Sequence, residues 1–320
     1  MRALLIPCLA AGGMLLASAA AAQTVKITPL GSHEGEFCRF DRAMVLEDPN
    51  GTRVLYDAGR TVRGPKDPRL GTIDAVLLSH VHGDHLGDRH QPSPNAGACG
   101  DPDVSVAVVP VSNTVLITVE KNAKLVVGAE MASFFAKKVA AAGGEAGQVQ
   151  LARYGGQRDV GGVKIYSVPA VHSNGLNPAF LEGAHAEALK DSGLTAYLGP
   201  PGGYVVEFTN GLTVYLSGDT GHTAEQDAVV RRRFGAELVV MNIGGIFTTG
   251  PTEAAFVINE LVQPRAVIAS HANEEATSGG KVKAGSKTAV FTEATKVPVY
   301  PALSDRTMEF DGTGVCVAGC

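Results

Sequence analysis

The chain has 320 residues, ordinary apolar content (45 %) and a formal net charge of −5 at neutral pH. That length can bury a full core as one large α/β domain or two smaller ones. The acidic balance argues against a nucleic-acid partner, which usually demands a basic face, and beyond the leader no segment is apolar enough to span a bilayer.

Residues 1–22 read as a secretory signal: Arg2 supplies the charge, residues 3–16 the apolar stretch, and Ala20-Ala21-Ala22 the small-residue cleavage site. Pro7 and Gly12-Gly13 interrupt the apolar run, which weakens a membrane-anchor reading. The expectation is a mature domain over 23–320, exported, most simply to a bacterial periplasm. Four cysteines remain in it, Cys38, Cys99, Cys316 and Cys320. An even number in an oxidising compartment suggests disulfides, with the pairing open. The segment 316–320 reads as a tail pinned to the domain.

Residues 25–30 form a first expected strand, followed by a Gly-rich turn at 31–35. Residues 43–47 and 52–56 are strands joined across Asp48-Pro49-Asn50-Gly51, a hairpin signal, and the second ends in Asp57. The apolar run 73–78 reads as a buried strand, and it delivers Ser79-His80-Val81-His82-Gly83-Asp84-His85-Leu86-Gly87-Asp88. A loop follows at 89–102, then a helix at 114–120 capped by Ser112-Asn113, a strand at 125–127, and a helix at 129–142 ending at Gly143-Gly144. The strand 162–169 leads to His172. The long segment 173–203, with a short amphipathic piece near 182–190, suggests a functional lid.

Residues 204–208 and 212–216 pair across Asn210-Gly211, and the second strand runs into Ser217-Gly218-Asp219-Thr220-Gly221. A helix over 223–234, a strand over 238–242, and a helix over 252–261 capped by Thr252 come next. A strand over 266–270 ends at His271. A helix over 286–295 and two short strands near Val297 and Met308 close the fold.

Imidazole and carboxylate groups at the density of 80–88 are ligands for first-row metals, with zinc the usual occupant. The other strand ends repeat the theme. Asp57, His80, His172, Asp219 and His271 each follow an apolar strand, where open α/β sheets place their ligands. Taken singly, His172 reads as a structural histidine and Asp219 as a turn residue; five together point to one shared site.

This ordered set, His-x-His-x-Asp-His, a later lone His, Gly-Asp-Thr-Gly and a final His, resembles the metallo-β-lactamase superfamily across essentially the whole mature chain. The resemblance implies an α/β fold, the four-layer αββα sandwich, with a dinuclear metal site at one sheet edge. It implies His80, His82 and His172 on one divalent ion, Asp84, His85 and His271 on the other, Asp219 bridging, and Asp57 orienting a ligand histidine. Zinc is the first choice for both ions, and manganese or iron also suit such nitrogen and oxygen donors. Gly-Asp-Thr-Gly, the segment 242–251 and Ser270-His271 look like the L-ascorbate-6-phosphate lactonase-like branch. Export and the long segments 89–123 and 173–203 depart from that branch, so the substrate is not inherited.

The implied chemistry is hydrolysis of a small molecule, a lactone or another activated or cyclic ester. The paired ions would activate a bridging water, and Asp84 would pass its proton to the leaving group. The alternatives are β-lactam hydrolysis, a phosphodiesterase, and a non-catalytic metal-binding scaffold, whose mark would be a lost ligand; none is lost. His222 is a candidate substrate contact, or else a helix-start residue. His33 and Asp88 could support the site from behind or face solvent, as His90 and His185 are expected to do. Arg231-Arg232-Arg233 fits a helix end, Lys281, Lys283 and Lys287 a solvated loop, and Met131, Phe134 and Phe135 a helix core. Oligomeric state is not legible.

Overall fold

The structure, a computed structural model, describes residues 23–320; the leader expected at 1–22 lies outside the described residues. Two mixed sheets dominate. The first runs, edge to edge, through Val149–Leu151, Lys124–Val127, Ala75–Leu77, Arg53–Tyr56, Met44–Glu47, Val25–Pro29, Met308–Phe310 and Cys316–Ala318. The second runs through Gln157–Val160, Val163–Pro169, Gly202–Glu207, Thr213–Leu216, Leu238–Asn242, Ala266–Ser270 and Val299–Pro301.

Each sheet is antiparallel in one part and parallel in the other. Arg53–Tyr56, Ala75–Leu77 and Lys124–Val127 are parallel neighbours in the first. Thr213–Leu216, Leu238–Asn242 and Ala266–Ser270 are parallel neighbours in the second. Their carboxyl ends supply the site.

The two-residue side-chain period of a strand accounts for the layering. Val54, Tyr56, Ala75, Leu77 and Val126 join Val206, Val214 and Leu216 in a core between the sheets. Their neighbours Leu55, Val76, Leu78, Leu125 and Val127 pack on the opposite face against helices Asn113–Glu120 and Met131–Ala141. Helices over 226–234, 251–262 and 287–294 bring Val230, Val257, Ile258 and Phe291 to the second sheet. The layers are helices, sheet, sheet, helices, as expected for the αββα class. Among the described residues no helix is long and apolar enough to cross a membrane.

Several boundaries differ from the sequence reading. The helix expected at 223–234 starts at Ala224 and runs as π-type turns over Gln226–Phe234, and the Gln226 side chain accepts from the Thr223 N–H ahead of its first turn. The next helix is capped by Gly250 with Pro251 in its first turn, not by Thr252, whose hydroxyl bonds Glu253 Oε2 at 3.0 Å. It widens into π-type turns over Val257–Val262. The piece near 182–190 is a helix, Gly183–Asp191, yet none of its residues is buried, so it is not amphipathic in use. The edge strands Val149–Leu151, Gln157–Val160 and Cys316–Ala318 were not expected; they are short and partly polar, and pairing rather than pattern makes them strands.

Cys38 pairs with Cys99, and Cys316 with Cys320. The C-terminal bridge therefore closes the tail on itself. What attaches the tail is the pairing of Cys316–Ala318 with Met308–Phe310.

Candidate metal centre

The five strand ends singled out in the sequence, Asp57, His80, His172, Asp219 and His271, arrive at one place. Asp57 and His271, the residues after Tyr56 and Ser270, both take left-handed backbone conformations, φ 42° and 51°. Non-glycine residues adopt that region rarely, and such strain gathers at functional positions. Gly244 is required beside them. A Cβ there would lie 2.6 Å from the His271 carbonyl oxygen and 3.0 Å from its Nδ1.

Asp57 is buried and faces inward from behind the centre. Its Oδ1 accepts from the Ser79 N–H (2.9 Å), and its Oδ2 accepts from the Ser79 hydroxyl (2.8 Å) and faces His85 Nδ1 at 2.8 Å. Because the one Ser79 hydroxyl proton goes to Asp57, the Ser79 oxygen accepts from His80 Nδ1 at 3.0 Å. One carboxylate thereby fixes the tautomers of two histidines, and turns both Nε2 atoms forward.

His80 Nε2 lies 3.0 Å from His82 Nδ1, and His172 Nε2 lies 3.2 Å from the same atom. Burial, reinforced by the neighbouring imidazoles, holds His80 well below the usual histidine range and His82 down at about 4, and it lowers His172 as well. All three are neutral near pH 7, so bare lone pairs converge. That arrangement is repulsive unless a cation sits among them, and neutral imidazole is the form that binds metals.

A second convergence adjoins it. Asp84 Oδ2 is 3.5 Å from His271 Nε2 and 3.8 Å from His85 Nε2. Asp219 lies between the two groups: Oδ1 is 3.2 Å from His85 Nε2, while Oδ2 is 3.1 Å from His271 Nε2, 3.6 Å from His172 Nε2 and 3.9 Å from His80 Nε2. His80-His82-His172, His80-His85-Asp219 and Asp84-His85-His271 each offer donor atoms within 4.8 Å of one another.

The residues present fit metal ions. His85 Nε2, Asp219 Oδ1 and both ring nitrogens of His271 are buried without a hydrogen-bond partner, although carboxylates stand close by. Orphaned buried polar atoms are costly, and a bound cation removes the cost. Burial opposes the charge on His85, but Asp219, Asp57 and Asp84 outweigh it and raise its pKa well above the usual range. Burial likewise opposes the Asp84 and Asp219 carboxylates, and is outweighed by His85, His271 and, at Asp84, by Arg42, so both stay well below the usual range.

Arg42 is the main residue that the sequence reading missed. Its side chain is only 3 % exposed. Nε donates to Asp84 Oδ2 (3.3 Å), Nη2 to Asn273 Oδ1 (2.6 Å), and Nη1 to the carbonyls of Arg39 and Asp41. Three segments far apart in sequence are tied there. Lys287, expected to be solvated, instead donates to the carbonyls of Gly244 (2.7 Å) and Ala272 (3.1 Å) beside the centre. A cavity of about 520 Å³ opens over His82, Asp84, His172, Asp219 and His271.

The weaker candidates fall elsewhere. His222 is exposed and sits against Phe256, ring centroids 6.1 Å apart, outside the residues lining the cavity. His33 bonds Ser32 and the Gly97 carbonyl. His90 bonds the Gln91 carbonyl, and His185 is on the exposed helix. Asp88 holds Arg60, which lines the cavity. Arg231 and Arg232 both pair with Asp227 at their helix end, and Met131 and Phe135 are core.

Comparison with known proteins agrees with this geometry. The beta-lactamase superfamily domain matches residues 52–272. A UPF0173 metal-dependent hydrolase of Cupriavidus necator is 31 % identical over 243 residues, covering 71 % of this chain and 69 % of that protein. Among solved structures, the metallo hydrolase Igni18 of Ignicoccus hospitalis has TM-score 0.59 at 19 % identity, covering 90 % of this chain and 99 % of that one. The metallo-beta-lactamase fold protein YhfI of Bacillus subtilis has TM-score 0.55 at 11 % identity with the same coverage. At such identities these likenesses show the fold alone. The matched domain and the relative's identity place the chain in the metallo-beta-lactamase superfamily, as a metal-dependent hydrolase of the UPF0173 family.

Proposed function

We propose that this hydrolase is dinuclear and opens a lactone or another activated ester. The observation that carries the reading is the reach of Asp219, which stands within 3.9 Å of the Nε2 atoms of His80 and His172 in one donor group and of His85 and His271 in the other. A single carboxylate between two donor groups is the arrangement that two cations share. His80, His82 and His172 would hold one ion, Asp84, His85 and His271 the other, with zinc preferred for the nitrogen-rich set. Bound ions of this kind lower the pKa of water and polarise a carbonyl.

The chain's own residues do the rest. Asp57 fixes the donor atom of His85 directly and that of His80 through Ser79. Asp84, ionised and held by Arg42, is too weak a base to keep a proton, so it relays one towards the leaving oxygen rather than storing it. The cavity of about 520 Å³ admits a small molecule.

The two cystines support the exported, oxidising location suggested by the leader. The reading is tested by assaying the metal-loaded chain on a lactone, a cephalosporin and an activated phosphodiester. Lactone turnover exceeding the other two is expected; preference for the cephalosporin or phosphodiester would replace the proposal with those activities.

A further inference from the structure

We propose that Arg39 sets the specificity of this site, selecting an ester or lactone that carries one carboxylate on an apolar arm. This rests on the ester-hydrolase reading above and names the substrate class within it.

Free positive charge is scarce at the cavity mouth. Four cations line the cavity: Arg39, Arg42, Arg60 and Lys287. Arg42 is spent on Asp84, Asn273 and two carbonyls. Arg60 forks onto Asp88 with bonds of 2.7 and 2.9 Å, and Lys287 is spent on the carbonyls of Gly244 and Ala272. Arg39 is exposed, and among the described residues no carboxylate pairs with it; its guanidinium carbon rests 5.4 Å from the centre of the Phe40 ring.

One free guanidinium suits one monoanion, which it grips with two parallel N–H donors. A phosphate monoester carries close to two charges near neutral pH and calls for a second free cation, which this mouth lacks. The charge count therefore selects a carboxylate over a phosphate. The backbone under Arg39 is fixed as well. Its N–H donates to the Cys99 carbonyl (3.1 Å), and Cys38, next to it, is bonded to Cys99.

The apolar arm follows from the rim. Ile246 is 97 % exposed and Phe247 72 % exposed, and both line the same cavity as Phe40. Large apolar side chains so bare at a cavity mouth mark a surface that a ligand covers.

The test uses three matched 4-nitrophenyl esters on the metal-loaded chain: the octanoate, the suberate monoester with its free terminal carboxylate, and an analogue ending in a phosphate. The expected result is a KM for the suberate about tenfold below that for the octanoate, a gain of about 1.4 kcal/mol, with no such gain for the phosphate. Arg39→Gln should bring the suberate-to-octanoate preference close to one, and Arg39→Lys should restore part of it. A preference that survives Arg39→Gln, a wild-type chain indifferent to the carboxylate, or a phosphate ester cleaved best would overturn the proposal. Calorimetry with suberamic acid against octanamide, which are not esters, reads the same discrimination in binding. If no ester is cleaved but suberamic acid binds tighter and loses that advantage in Arg39→Gln, the ester-hydrolase reading fails and the Arg39 assignment stands.

Discussion

Asp57 Oδ2 lies 2.8 Å from His85 Nδ1 and, through the Ser79 hydroxyl, also governs His80. A buried carboxylate that touches no ion thus aims two histidines that would. Asp57→Asn should leave the fold intact yet weaken metal binding by about 10–100-fold, the usual cost of losing such a partner. Competitive titration with a chromogenic chelator measures it, and an affinity within twofold of wild type would contradict the assignment.

Asp84 is held by Arg42 and faces His271 and His85. Asp84→Asn should retain most bound metal on the remaining donors while lowering kcat by about 10²–10⁴-fold, the range for lost proton transfer. Elemental analysis beside steady-state rates separates the two effects. Wild-type kcat in this variant would remove Asp84 from the chemistry.

The raised pKa of His85 makes metal uptake a proton exchange. In the metal-free chain His85 is protonated at pH 7, and an ion on Nε2 must displace that proton. The same shift stabilises the metal-free fold fully below pH about 6.5, the ordinary histidine value, and that stability is lost as pH rises through the higher folded value. Calorimetry in buffers of different ionisation enthalpy should find about one proton released from this site per chain. No release at pH 7 would show that His85 is already neutral.

Asp41 provides a pH prediction away from the ions. Burial pushes its carboxyl up to about 6, although it accepts the N–H groups of Ser32 and Cys38, both at 2.8 Å. A raised carboxyl stabilises the fold fully below its unfolded value of about 3.9, and that contribution is lost as pH rises through about 6. Carbon-detected NMR of the carboxyl should show its midpoint near 6; a midpoint below 4 would mean that the two amide bonds win over burial.

The residues that end strands were legible in the sequence because apolar runs stop abruptly at His or Asp, and a shared sheet edge brings such ends together. Asp57, His80, His172, Asp219 and His271 come together in this way at one place. Arg42 and Arg39 were not legible, since they sit in a loop whose position depends on Cys99, Asp84 and Asn273, none close in sequence. A dense Arg39-Phe40-Asp41-Arg42 run just before an apolar strand was the available signal. Lys287 was misread because its loop looks solvated, whereas the helix starting there turns its amine back to Gly244. His222 lies only three residues after Asp219, but the chain has already turned outward to Phe256.

In the proposed dinuclear centre, two ions sharing Asp219 would create the activity. Its most direct test is the hydrolysis rate of the metal-free chain measured as zinc is added in known equivalents, with bound metal counted in parallel. The expected result is no activity without metal and full activity only as the second equivalent binds. Full activity at one equivalent, or unimpaired hydrolysis by the demetallated chain, would contradict it.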